Sequence, residues 1–211
     1  IGGDPGVGKS TLALQIAQKF RSLYISGEES PTQLKKRALR LGANLDTLMV
    51  STATDVDEII TLSGSEKPDI LLIDSIQTIL SPDMAGIAGS VGQIRESASR
   101  LPDYARESGV PVVLVGHITK DGTIAGPKVL EHMVDTVLYF EGDFARDLRI
   151  LRAFKNRYGS VNEVGLFRMT KEGLCEVRDR NHVFLDAVAN PSPGCAVSAA
   201  LEGSRILLFE V

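Results

Sequence analysis

Apolar positions along this chain change period several times, and each change marks an element. Thr11-Leu12-Ala13-Leu14-Gln15-Ile16-Ala17 repeats at helical spacing, whereas Ser22-Leu23-Tyr24-Ile25-Ser26 is a short continuous run of the kind that makes a buried strand. Ser30-Pro31-Thr32-Gln33 supplies an N-cap, a proline at the first helical position and a capping-box glutamine. A helix is predicted there, with Leu34, Ala38 and Leu41 on one face. Leu48-Met49-Val50 predicts a strand, and Asp55 with Glu58 a second capping box ahead of Ile59, Ile60 and Leu62. Ile70-Leu71-Leu72-Ile73 is apolar without alternation, as a parallel strand covered on both faces must be. A Gly/Ser/Pro-rich loop over 81–90 leads into a long helix carrying Val91, Ile94, Ala98, Leu101 and Ala105, and 110–115 predicts the next strand. This alternation predicts an α/β fold, a mostly parallel central sheet with helices on both faces and right-handed crossovers.

After about Val134 the spacing tightens. The runs 137–140, 148–154, 164–167 and 174–177 are strand-like and separated by turn residues, so antiparallel hairpins are predicted to extend the sheet. Asn190-Pro191-Ser192-Pro193-Gly194 reads as a linker, after which a second domain begins. Only Ile1 precedes the glycines at the start, and 206–211 ends inside a strand pattern. The sequence therefore reads as a fragment, cropped within the strand that feeds its first loop.

Composition narrows the classes. No apolar run approaches the length of a membrane span, and the first residues do not form a signal peptide. Two distant cysteines, Cys175 and Cys195, make neither a disulfide framework nor a metal pair, so a cytoplasmic setting is expected, with both thiols read as small buried residues. A net charge of −4 argues against indiscriminate nucleic-acid binding. The charge is uneven, however: Arg146, Arg149, Arg152, Lys155, Arg157, Arg168, Lys171, Arg178 and Arg180 fall in one late stretch. Trp is absent and aromatics are few, so no base-stacking platform is evident.

The most specific chemistry lies at the start. Gly3-Asp4-Pro5-Gly6-Val7-Gly8-Lys9-Ser10 fits G-x-x-x-x-G-K-[ST] at every fixed position, and Thr11 continues into the helix. Glycines let successive N–H groups curl around a phosphate, Lys9 reaches the β- and γ-phosphates, and the Ser10 hydroxyl suits Mg²⁺. The following helix points its positive end at the same anion. ATP and Mg²⁺ are thus the expected cofactors. Asp74 ends the apolar run 70–73, where a Walker-B carboxylate belongs. Glu28 and Glu29 follow the second strand, where a carboxylate can activate the attacking water, and the position nearer the strand end favours Glu28. The plain alternative for both is a solvated acidic turn. His117 follows the strand 110–115, placed to sense the γ-phosphate, although a lone histidine is more often structural. Lys155-Asn156-Arg157-Tyr158-Gly159-Ser160 falls between two strands, which predicts cations at a hairpin tip. They are either simply solvated or reach a neighbouring subunit's nucleotide as an arginine finger does. A metabolic P-loop kinase is disfavoured, because no lid or acceptor motif is apparent.

Together these segments resemble the RadA (Sms) family of bacterial DNA-repair proteins, in the RecA-like ATPase superfamily. The likeness runs through Gly2 to Thr11, through Tyr24-Ile25-Ser26-Gly27-Glu28-Glu29-Ser30 and Ile73-Asp74-Ser75-Ile76-Gln77-Thr78, and through 116–132. Lys155-Asn156-Arg157-Tyr158-Gly159 is similar to the family's own signature. The resemblance implies a RecA-like P-loop ATPase core over 1–182 and the start of a Lon-protease-like domain over 183–211, without proteolysis. It implies nucleotide and Mg²⁺ held by Lys9, Ser10 and Asp74, Glu28 as catalytic glutamate, and Lys155 and Arg157 acting in trans. It also implies that the loops 81–90 and 119–128 face DNA, with Arg95, Lys120 and Lys128 as candidate contacts. The implied function is a DNA-dependent ATPase of recombinational repair, a hexameric motor on single-stranded or branched DNA working with the RecA recombinase. The alternative is an ATP-switched mediator or scaffold without motor activity. The family's four-cysteine zinc module has no counterpart in this sequence.

Overall fold

The computed structural model describes residues 1–117, 130–143, 147–178, 196–202 and 205–210. In chain order these form β1 (Gly2–Gly3), α1 (Lys9–Ala17), β2 (Ser22–Ser26), α2 (Pro31–Arg40), β3 (Leu48–Ser51), α3 (Val56–Glu66) and β4 (Ile70–Asp74). A 3₁₀ turn (Ile76–Thr78), α4 (Val91–Ser108), β5 (Val112–His117), β6 (Thr136–Asp143), β7 (Leu148–Asn156), β8 (Val164–Thr170) and β9 (Gly173–Glu176) follow. The last two strands are β10 (Val197–Glu202) and β11 (Arg205–Glu210). The chain divides into two compact units, Ile1–Cys175 and Glu176–Val211.

The first unit is built on a sheet in the order β3-β2-β4-β5-β1-β6-β7-β8-β9. Pairings from β3 through β6 are parallel, and the β6–β7 and β7–β8 pairings are antiparallel. This is the predicted parallel α/β block extended by hairpins. Alternation along β2 and β4 divides the core between the two faces. Leu23, Ile25, Leu71 and Ile73 pack with Val56 and Ile59 of α3 and Ile94, Ala98 and Leu101 of α4. Tyr24, Leu72 and Val115 pack on the other face with Ala13, Leu14 and Ala17 of α1 and Leu34 and Ala38 of α2. Each fully buried Leu or Ile contributes about 1.5–3 kcal/mol, so covering both faces is what fixes the strand order. Ser30 and Gln33 close the expected reciprocal capping box, whereas Asp55 accepts from the amides of Asp57 and Glu58 as an N-cap without the return bond from Glu58 that a capping box requires. Ser90 caps α4 by accepting from the amide of Gln93.

Gly2 and Gly3 pair as strand residues between β5 and β6, because backbone hydrogen bonding requires no side chain. Several expectations are corrected. Lys155 lies within β7, so only Arg157 sits in the turn that follows. Val91, expected on the core face of α4, is 51% exposed at its first turn. Cys175 is exposed, since the outer half of β9 is uncovered; Cys195 lies outside the described residues. In the second unit β10 and β11 pair antiparallel from Val197↔Glu210 to Glu202↔Arg205. Among the described residues no helix is long and apolar enough to cross a membrane.

Candidate nucleotide site

Parallel strands that share one direction bring their carboxyl ends to one edge, and that edge collects the candidate residues. Gly3 ends β1, Asp74 ends β4, His117 ends β5, and Glu28 lies two residues beyond β2. The loop from Gly3 to Ser10 is anchored from below by Val7, which is buried with Leu12, Phe140 and Leu174. Asp4, Pro5 and Gly6 form its exposed rim, and Ser10 and Thr11 are half-buried in the first turn of α1. Gly8 caps α1 at φ 110°, a left-handed conformation that a side chain resists, and a Cβ there would stand 2.6 Å from Met169 Cε. Lys9 is buried and its Nζ donates to the carbonyls of Gly3 and Asp4, each at 2.8 Å. Burial lowers the pKa of this ammonium, and the nearby Asp74, Asp4 and Glu28 oppose that shift.

Asp74 is buried, and the phenol of Tyr24 donates to its Oδ2 at 2.6 Å. Burial, with the Asp74 charge beside it, pushes the Tyr24 phenol far above its usual pKa, so it acts as a donor. Glu28 Oε1 accepts from Ser75 Oγ at 2.7 Å and lies 3.3 Å from His117 Nε2. Burial raises the Glu28 pKa, but the Ser75 hydroxyl, His117 and Lys9 outweigh it and leave the carboxyl below its ordinary value. Glu29 turns the other way and pairs with Arg37 of α2, which separates the two acids that the sequence left adjacent. The strand ends are packed tightly: a Cβ on Gly27 would stand 1.9 Å from Thr78 Oγ1. Gln77 Nε2 donates to the His117 carbonyl at 3.4 Å. His117 Nδ1 is buried without a hydrogen-bond partner among the described residues.

Lys155 and Arg157 are not brought to this edge. Lys155 Nζ donates to the carbonyls of Glu131 and Val134 at 2.6 Å each, and Arg157 pairs with Asp135 at 3.0 Å. Register explains the separation. Gly3 lies beside Phe140 in mid-strand, whereas Asn156 lies beside Thr136, the first residue of β6. Four residues of strand at roughly 3.3 Å each put about 13 Å between the two positions before any loop is counted. Arg95 is exposed on α4. Lys120 and Lys128 lie outside the described residues.

A family model described as an AAA domain matches residues 1–123. The whole chain is 51% identical to the DNA repair protein RadA of Pseudomonas aeruginosa and spans 48% of that protein. It is 48% identical to the DNA repair protein RadA of Bacillus subtilis and spans 47% of it. The chain belongs to the RadA family. It thus covers about half the length of these RadA relatives. A KaiC-like protein from Pyrococcus horikoshii superposes with a TM-score of 0.65 at 19% identity, over 83% of this chain and 87% of that one. The architecture is accordingly a RecA-like α/β ATPase core.

The donor set of this RadA-family site fits ATP with Mg²⁺. No atom stands within 4 Å of where a Cβ on Gly6 would lie, so the rim of the loop leaves room for an anion against its amides. Among the described residues no cluster of three or more His, Cys, Asp or Glu side chains is arranged to hold a metal. Mg²⁺ at nucleotide sites needs no such cage: one hydroxyl and one carboxylate suffice, with phosphate oxygens and waters completing the shell. Ser10 offers a hydroxyl and Asp74 a carboxylate, the two donor types such a site uses. Three further residues escaped the sequence reading: Tyr24, Ser75 and Gln77. Ser75 and Gln77 lay within the quoted segment after Asp74, and Tyr24 shares the strand face of Ser26, but only the cross-strand register connects them to the acids.

Proposed function

We propose that this chain is the ATP-hydrolysing core of a DNA-dependent motor in recombinational repair, a translocase or branch-migration helicase on single-stranded DNA. The observation that carries it is the convergence of Lys9, Asp74, Glu28 and His117 at one sheet edge in a chain half-identical to DNA repair proteins. Lys9 exchanges its two backbone carbonyls for the β- and γ-phosphates, whose charge then compensates the ammonium directly. Ser10 and Asp74 hold Mg²⁺, which neutralises charge on the phosphate oxygens during phosphoryl transfer. Glu28 is ionised at neutral pH and half-exposed, so it can accept a proton from the attacking water. His117 touches Glu28 from the end of β5, directly before the 118–129 segment, and so couples the state of the acid to the candidate DNA loop with Lys120 and Lys128.

Lys155 and Arg157 complete a neighbouring subunit's site in this reading, as part of a cytoplasmic hexamer acting with the RecA recombinase. The register supports it, because both cations lie at the edge of the sheet away from their own phosphate loop. Residues 1–182 are the ATPase domain and 183–211 open a Lon-like domain. Lys9→Ala should reduce DNA-stimulated ATP hydrolysis by about 10³-fold, the scale of losing a charge-stabilising donor to the transition state. Hydrolysis measured with and without single-stranded DNA checks this, and retained DNA-stimulated turnover would refute the mechanism. Branch-migration assays on the full-length protein separate motor from switch: turnover without ATP-dependent strand exchange favours the mediator.

A further inference from the structure

Tyr24 and Asp74 lie on adjacent parallel strands, with Ser26 registered against Asp74 and Tyr24 against Leu72. Alternation places all four side chains on one face of the sheet, the face that α1 covers. The tyrosine therefore reaches diagonally along the strand direction toward the β4 terminus. Its ring is completely buried among the aliphatic side chains of α1 and α2, and its hydroxyl meets Asp74 Oδ2 at 2.6 Å. That is the distance of a charge-assisted O–H···O⁻ bond, shorter and about twice as strong as a neutral one. A phenylalanine would fill the same apolar space. The hydroxyl is thus present in the core for the carboxylate it touches.

We propose that Tyr24 is the positioning residue of the Mg²⁺ site: by holding Oδ2 it fixes the Asp74 carboxylate and leaves Oδ1 to serve the ion. The proposal rests on the reading of Asp74 as the carboxylate that serves Mg²⁺. It assigns Tyr24 no contact with nucleotide, and so no part in binding ATP without the ion. Outer hydrogen-bond partners of this kind typically change metal affinity by 10–100-fold.

The test is a Mg²⁺ titration of fluorescent ATP-analogue binding to the whole chain, in wild type, Tyr24→Phe, Asp74→Asn and the double variant. Tyr24→Phe should raise the half-maximal Mg²⁺ concentration by about tenfold, while analogue binding in EDTA stays at the wild-type value. A merely structural role would lower the thermal midpoint and leave the Mg²⁺ requirement unchanged, and that result overturns the proposal. In the Asp74→Asn background Tyr24→Phe should add nothing to the requirement, whereas additive shifts would show that the phenol acts elsewhere. If Tyr24→Phe were to lose its fold, Tyr24→Met, which removes the hydroxyl without enlarging the buried side chain, provides the same comparison, the requirement rising with loss of the 2.6 Å bond. Should Asp74→Asn itself leave the Mg²⁺ requirement unaltered, the Asp74 assignment fails and this inference with it. A shift in Asp74→Asn alone removes only the role of Tyr24.

Discussion

At the carboxyl edge of the parallel strands Glu28, Asp74 and His117 meet other side chains, Ser75 and Tyr24 among them, with Lys9 close enough to feel both acids. In the antiparallel extension Lys155 and Arg157 instead meet the segment just before β6, through two backbone carbonyls and one aspartate. Both regions belong to one continuous sheet, and both carry a motif visible in the sequence. The difference lies in strand direction. Parallel strands deliver their ends to a shared edge and concentrate polar groups there, whereas antiparallel strands return the chain to the far edge every few residues. One region therefore gathers polar groups at a shared edge, and in the other both cations lie away from that edge. The extension nevertheless supports the phosphate loop, because Phe140 and Leu174 pack with Val7 and Leu12 beneath it.

The largest effect that would break this contrast is expected at Arg157. Arg157→Ala should cut turnover by about 10³-fold while nucleotide affinity changes little, the scale of a lost arginine finger. Mixing Lys9→Ala with Arg157→Ala subunits makes the test decisive. Activity should reappear in the mixture, since some sites would then combine an intact Lys9 with a neighbour's intact Arg157. A mixture as inactive as its components would place the arginine in its own subunit's site and dissolve the distinction between the two edges.

A smaller effect sharpens the other side. Gly27→Ala would drive a methyl group to 1.9 Å from Thr78 Oγ1, and something must shift where β2 meets the 3₁₀ turn. A loss of about 1–3 kcal/mol is expected, as for other overpacked sites, readable by chemical denaturation. An equivalent substitution at exposed Gly159, beside Arg157, should cost less, since the nearest atom is the flexible Asn156 side-chain amide at 3.0 Å. Equal losses at both would mean that the candidate site is no more tightly packed than the extension.

The smallest effect concerns pH. The Glu28 carboxyl lies below its ordinary pKa, so its ionised form is favoured in the folded chain and is lost as pH falls through the lowered value. Ser75→Ala removes one of the groups that lower it. The acidic limb of the turnover profile should move to higher pH, and a limb that stays in place would remove Ser75 from the network around Glu28.

Much of the fold was legible because local signals agreed with the global arrangement. The glycine-rich loop, the capping box at Ser30 and the unbroken apolar run before Asp74 each predicted an element that is present. Where the reading slipped, the deciding contact lay outside the window. Val91 carries the right spacing, yet it sits at the exposed start of α4. Cys175 is small and apolar, yet its strand is uncovered at the outer end. Lys155 looks like a turn cation, but β7 continues past it.

The sequence by itself determined that a phosphate loop precedes a helix, that acids follow two buried strands and that a cationic motif stands far along the chain. These are properties of residue type and short spacing, which local hydrogen bonding and periodicity translate directly into elements. Only the tertiary structure decided which acid meets the ends of β4 and β5, because Glu28 and Glu29 differ in what stands opposite them, Ser75 and His117 for one and Arg37 for the other. It also decided that Tyr24 meets Asp74 across fifty residues of chain, and that Lys155 and Arg157 are held away from the loop. Register between distant strands sets all three. No local pattern encodes it, because it arises when both faces of the sheet are buried at once.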